Sequence, residues 1–140
     1  MMGTKIELNP GLKPGLRKEL HETVDRRNVA SVWGSGALDV YSTPAMIALM
    51  EKASVLAVAD FLPEGCSTVG TGIDVKHIAS SPIGAGIRAE AVLTGLDGRK
   101  LSYEVRAWDN MELIGEGLHE RFIIDNKKFM EKTETKRSNQ

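Results

Sequence analysis

Cysteine is nearly absent from these 140 residues: Cys66 is the only one. One thiol rules out an internal disulfide, and also a zinc site built from two or four cysteines of a single chain. Cys66 follows Pro63-Glu64-Gly65 in what reads as a loop, and no sequence neighbour would lower its pKa, so an unreactive loop thiol is expected. Net charge is also scarce, at −1, which gives nucleic-acid binding no bulk electrostatic support. No apolar run approaches the ~20 residues needed to cross a bilayer. Met1-Met2-Gly3-Thr4-Lys5 is not followed by the apolar core of a secretory signal. A single cytoplasmic domain without membrane contact is therefore the expectation.

Punctuation and periodicity divide the chain. Residues 1–14, broken by Pro10, Gly11 and Pro14, read as an irregular lead-in, and 15–126 as one domain. Residues 127–140 carry Lys127, Lys128, Lys132, Lys136 and Arg137 against Glu131 and Glu134, and read as a polar, solvated tail. Leu16, Leu20 and Val24 alternate loosely with charge, as in a half-exposed strand over 16–25. Residues 28–42 hold Gly34, Ser35 and Gly36 and read as a loop with room for a helical turn. From Thr43 the pattern becomes apolar almost all round, through Met46-Ile47-Ala48-Leu49-Met50 and 53–59. Ser42 or Thr43 can cap this helix, Pro44 suits its first turn, and Pro63 and Gly65 end it. A helix so apolar is expected to be wrapped by protein on most sides.

Residues 67–124 then alternate as four strands. Their turns lie at Pro82 and Gly84, at Gly95-Leu96-Asp97-Gly98 and at Asp109-Asn110. Gly115 and Gly117 in the last strand permit a bulge or close approach of another backbone. The sum is an α+β arrangement, a five-stranded antiparallel sheet curled around one long central helix. Its uncovered edge and outer face call for a partner chain.

Three side chains around this helix–strand unit can do chemistry. Thr43 is a cap on helix physics alone, but also a hydroxyl nucleophile or a donor that orients substrate if a base lies beside it. Glu51 is the one acid inside the apolar helix. It needs an ion-pair partner, Lys52 or an arginine of a strand, or else it serves as a general base toward water or polarises His77. His77 shares the phase of Ile73 and Val75, so it faces inward if the strand is regular. Thr43 and Glu51 are eight residues apart, about 12 Å along a helix. Either His77 lies between them or a second subunit completes the site, and both options place the site at a seam. Gly70 and Gly72 suit a bulge or a backbone donor to an oxyanion. Neither Gly70-x-Gly72 nor Gly84-x-Gly86 continues into a dinucleotide fingerprint. Arg121 reads first as a surface residue paired with Glu120 or a cross-strand acid, and second as a recogniser of phosphate or carboxylate. Nothing in the sequence calls for a metal.

The words Thr43 with Leu49-Met50-Glu51, Gly70-Thr71, Val75-Lys76-His77, Gly98-Arg99-Lys100-Leu101-Ser102 and Gly117-Leu118-His119-Glu120-Arg121 occur in this order. With them the chain resembles the hotdog-fold acyl-CoA thioesterases, and most of all the fluoroacetyl-CoA thioesterase-like proteins, from about Val40 to Phe129. The resemblance implies a hotdog homodimer, with pairing into a dimer of dimers left open. It implies hydrolysis of a small acyl-CoA by a Thr–Glu–His set falling on Thr43, Glu51 and His77. It further implies Gly70 as backbone donor at the thioester oxygen, Arg121 as a supporting residue, and coenzyme A only as part of the substrate, with no other cofactor. The segment Gly34-Ser35-Gly36-Ala37-Leu38 is expected to border the acyl pocket. It does not match the fluoroacetyl specialist, so that selectivity is not carried over. The alternatives are a hotdog hydratase or dehydratase on acyl thioesters, and a non-catalytic acyl-CoA-binding module.

Overall fold

The computed structural model describes residues 6–137, so the readings made on Met1–Lys5 and on 138–140 lie outside the described residues. In chain order the elements are β1 (Arg17–Thr23), α1 (Ala30–Trp33), α2 (Thr43–Val58), β2 (Cys66–His77), β3 (Gly86–Asp97), β4 (Lys100–Trp108), β5 (Leu113–Asp125) and α3 (Asn126–Glu134). A single 3₁₀ turn, Ala59–Phe61, finishes α2. The five strands form one antiparallel sheet in the order β1-β3-β4-β5-β2, so β2 is an edge although it is second in sequence.

α2 starts where a cap is available. The Ser42 hydroxyl accepts from the Ala45 N–H at 3.1 Å, and Pro44 follows in the first turn, where its missing donor costs nothing. Ala45, Met46, Leu49, Met50, Ala53, Ala57 and Val58 then line one buried stripe at spacings of three and four. Met46 and Met50 are fully buried, each contributing about 1.5–3 kcal/mol. This stripe lies against the face made by Ile87, Ala89, Ala91 and Leu93 of β3 and Leu101, Tyr103, Val105 and Ala107 of β4, all buried. Alanines at the paired positions 89 and 107 leave room for the helix to approach. The helix is covered on most sides, as its composition implies: within α2 only Ala48, Lys52 and Leu56 are exposed.

Glycine permits one approach that a bulkier residue would forbid. A Cβ on Gly117 would sit 2.1 Å from the Asp74 carbonyl oxygen, so β2 and β5 approach here as only glycine allows. β2 also bulges at Thr71, where its register against β5 shifts between Gly70 and Gly72. The segment read as a tail is in part helical. Asp125 caps α3 by accepting from Lys128 N–H at 3.1 Å, a local signal sufficient for a helix whose side chains all remain outside the core.

Candidate active site

Because Ser42 does the capping, the hydroxyl of Thr43 is left free. It lies 2.7 Å from Nδ1 of His77, at the far end of β2. Backbone bonds on either side fix this meeting: Tyr41 N–H donates to the Ser81 carbonyl at 2.9 Å, and Ile78 N–H donates to the Ile114 carbonyl at 2.7 Å. Tyr41 is buried, sets its ring edge-on to the imidazole with centroids 6.5 Å apart, and donates its hydroxyl to the Glu22 carboxylate.

Burial pushes the His77 pKa down, and a backbone contact with Ala79 only partly offsets this. The ring is therefore held neutral, as a proton acceptor must be. For Nδ1 to accept from Thr43 the proton must sit on Nε2, which is buried and has no hydrogen-bond partner among the described residues. The pair borders a cavity of about 340 Å³ walled by Ala30, the segment 35–38, Val40, Tyr41 and 78–80. Four of the five residues expected at an acyl pocket, Ser35 to Leu38, are on this wall.

Glu51 is elsewhere. It sits two turns down α2, about 12 Å along the axis at 1.5 Å per residue, and Thr43 and His77 line the cavity without it. Its Oε2 accepts from Arg121 Nη1 at 3.0 Å and lies 3.9 Å from His119 Nε2. The Glu51 side chain remains 43 % exposed. Of the partners weighed for it, the strand arginine is the one found.

Arg121 corrects the sequence reading. It is no surface residue: its side chain is only 7 % exposed. Besides Glu51 it donates to Thr68 through Nε at 2.8 Å and Nη2 at 3.0 Å. Most of its donors are thus spent on the protein, one of them on Glu51. Gly70 closes this second cluster, since a Cβ there would lie 2.8 Å from Glu51 Oε2. Ile73 does share the face of Val75 and His77, since the register runs unbroken from Gly72 to His77 and sets Ile73 opposite the buried His119, but it stays 41 % exposed because β2 is an edge. Sequence reasoning missed His119 altogether; it is buried within the Glu51–Arg121 cluster. Its only signal was its phase, two residues before Arg121 and four before the buried Ile123.

The structure thus makes two half-sites, Thr43–His77 with a cavity and Glu51–Arg121–Gly70 with an exposed carboxylate. Gly70 and His77 lie seven residues apart on one strand, about 23 Å at 3.3 Å per residue, so one chain cannot bring both halves to one small group. The first half can accept a proton from a hydroxyl or from a water beside it. The second presents a carboxylate oxygen next to backbone. Among the described residues no group of three or more His, Cys, Asp or Glu suits a metal ion.

Comparison with known proteins bears on what such halves do. Residues 24–127 match a family model described as FlK, fluoroacetyl-CoA-specific thioesterase. The chain is 41 % identical over 98 residues, 70 % of each protein, to a fluoroacetyl-CoA thioesterase of Streptantibioticus cattleyicolor. A crystal structure of a mutant of the fluoroacetyl-CoA-specific thioesterase FlK aligns with a TM-score of 0.85 at 34 % identity, covering 91 % of this chain and 99 % of that one. A thioesterase superfamily member from Thermus thermophilus aligns equally well, with a TM-score of 0.85, at 24 % identity over 91 % of this chain and 95 % of that one, and so shares the fold.

Proposed function

The chain belongs to the fluoroacetyl-CoA-specific thioesterase family, and on that premise we propose that it hydrolyses a small acyl-CoA to the free acid and coenzyme A through Thr43, His77 and Glu51. The observation that carries the reading is the Thr43 hydroxyl 2.7 Å from a neutral His77 at the edge of a cavity. In the forward reaction His77 Nδ1 takes a proton from Thr43, which attacks the thioester carbon, or from a water that Thr43 orients there. The carbonyl oxygen gains negative charge, which a backbone N–H at Gly70 is placed to stabilise. The C–S bond breaks and the thiolate leaves as coenzyme A, taking up a proton. Glu51 acts as general base toward the water that completes hydrolysis. Arg121 fixes the Glu51 carboxylate rather than touching substrate. Coenzyme A enters only as part of the substrate, and no further cofactor is needed. Selectivity for fluoroacetate is not part of the proposal, because residues 34–38 differ from the specialist.

The site is proposed to form between two copies. β2 is an unpaired edge with Gly70 toward one end and His77 at the other. Antiparallel pairing of two such edges sets the Gly70–Glu51 half of one protomer beside the Thr43–His77 half of its partner, giving two equivalent sites per dimer. The proposed compartment is the cytoplasm; among the described residues no helix is long and apolar enough to cross a membrane.

The test is a panel of short, branched and aryl acyl-CoAs with detection of free thiol. Turnover with thiol release is expected. Water addition to an enoyl-CoA without thiol release would instead favour a hydratase, and tight binding without turnover a non-catalytic module. The two-chain site has its own test. Equal mixing and re-annealing of Thr43→Ala and Glu51→Gln chains, each far slower than the parent, should raise the rate to about a quarter of the parent's, since half the dimers then carry one intact site. No recovery in demonstrably mixed dimers would place the whole site within one chain.

A further inference from the structure

The buried ring of His119 plays no part in the scheme above. Its side chain is 1 % exposed, and each nitrogen has a defined partner. Nδ1 lies 2.6 Å from the Gly72 carbonyl oxygen, which can only accept, so Nδ1 carries the proton. Nε2 lies 3.2 Å from Arg121 Nη1, which can only donate, so Nε2 offers its lone pair. The same Nη1 donates to Glu51 Oε2 at 3.0 Å. The result is one connected chain, Gly72 carbonyl, His119, Arg121, Glu51, in which Arg121 donates both to the imidazole and to the carboxylate. It crosses from the edge strand β2 through β5 to helix α2. Its first member adjoins the bulge beside Gly70, and its last is the carboxylate that packs against Gly70. Tyr103, directly opposite on β4, stacks on the ring with centroids 5.9 Å apart and holds its plane.

We propose that His119 is a positioning residue that locks the Gly70–Gly72 bulge and the Glu51 carboxylate at fixed spacing through Arg121. The inference rests on the role given to Glu51 above and extends it: oxyanion strand and general base are set by one imidazole rather than separately. Three ionisable groups face that ring, Glu51 from α2, Tyr103 from β4 and Arg121 from its own strand, while Glu120 lies on the other face of β5 and acts on it only through its charge. The lock requires the neutral tautomer. A proton on Nε2 would set N–H against N–H at Arg121 and draw the ring toward Glu51 instead, 3.9 Å away. Burial works against that proton, and the Arg121 charge adds to the effect.

The experiment compares the parent with His119→Asn, which can keep a donor toward Gly72 but loses the acceptor for Arg121, and His119→Gln, together with Glu51→Gln and the double variant Glu51→Gln/His119→Asn. In the folded single variants kcat is expected to fall about ten- to hundredfold with KM nearly unchanged. The double variant is expected to be no slower than Glu51→Gln alone, because both changes disable the same group. Full additivity, or loss of melting temperature with unchanged kcat, would overturn the proposal. A Glu51→Gln variant that turns over normally would remove Glu51 from the mechanism. The lock would then be judged by the ¹⁵N shifts of the His119 ring. A neutral ring protonated at Nδ1, with Arg121 guanidinium protons that exchange faster in His119→Asn, supports it. Protonation at Nε2, or unchanged exchange, overturns it.

Discussion

Adding one methyl group at Gly70 tests the tightest contact in the Glu51 half-site. The new Cβ would lie 2.8 Å from Glu51 Oε2 and 3.2 Å from Arg121 Nη1, where ordinary contact begins near 3.4 Å. The carboxylate therefore has to retreat by about 0.6 Å, and the guanidinium can follow only by straining its bonds to Thr68. Overpacking of this kind costs about 1–3 kcal/mol, and the low end applies because an acid 43 % exposed can swing into water. A misplacement of about 1 Å at a reacting group costs up to about a hundredfold in rate, so Gly70→Ala is expected to lose about tenfold in kcat. Initial rates of thiol release and thermal melts measure the two effects. Gly70→Ala/Glu51→Asp, with its shorter acid, should regain the lost stability but not the rate. Gly72→Ala, whose methyl meets nothing nearer than Glu120 Cβ at 3.9 Å, should leave the melting temperature unchanged. Parent-like kcat in a folded Gly70→Ala protein would refute the claim that this contact sets the carboxylate.

Four further outcomes are expected. Ser42→Ala should cost about 1 kcal/mol of stability, whereas Thr43→Ala should leave stability nearly intact and abolish most turnover; chemical denaturation beside kinetics separates the two. The acid limb of kcat/KM should fall below pH 6.5, the ordinary histidine value, because burial holds His77 low and activity is lost only as pH drops through that lowered value. His119 is lowered in the same direction, so the unfolded chain takes up protons first. Stability should be full above about pH 6.5 and decline as pH falls from there, more gently in His119→Asn; a melting temperature flat from neutral to mildly acidic pH would contradict this. Tyr103→Phe removes a buried hydroxyl with no hydrogen-bond partner among the described residues, so it should be neutral or stabilising by about 1 kcal/mol in a denaturant titration.

What could be read from residues alone follows the range of the interactions involved. The apolar run from Met46 announced α2, and strict alternation from Ile87 to Ala107 announced β3 and β4, because both signals are local. Thr43 stood out at a helix start and His77 at a strand end for the same reason. The Glu51–Arg121 pair spans seventy residues and is closed by the order of the sheet, which no local pattern contains. β5 misleads outright. Its apolar Leu118 and Phe122 point out, while His119 and Arg121 point in, so hydropathy assigns the wrong face wherever ion-pair and hydrogen-bond partners outweigh the desolvation of charge. Ile73 kept the phase of Val75 and His77, and its exposure comes from the edge position of β2, which alternation along one strand does not reveal. α3 was lost in its composition, since nine residues without a buried side chain look the same as a solvated tail.

Two hydroxyls stand side by side where α2 begins, and only the first is committed to architecture. Ser42 holds the helix together, so the neighbouring position is released from any duty to the scaffold. Descendants of this chain can try serine, aspartate or alanine at residue 43 without endangering their ability to fold. Catalytic style can therefore drift at that position while the frame stays under separate selection.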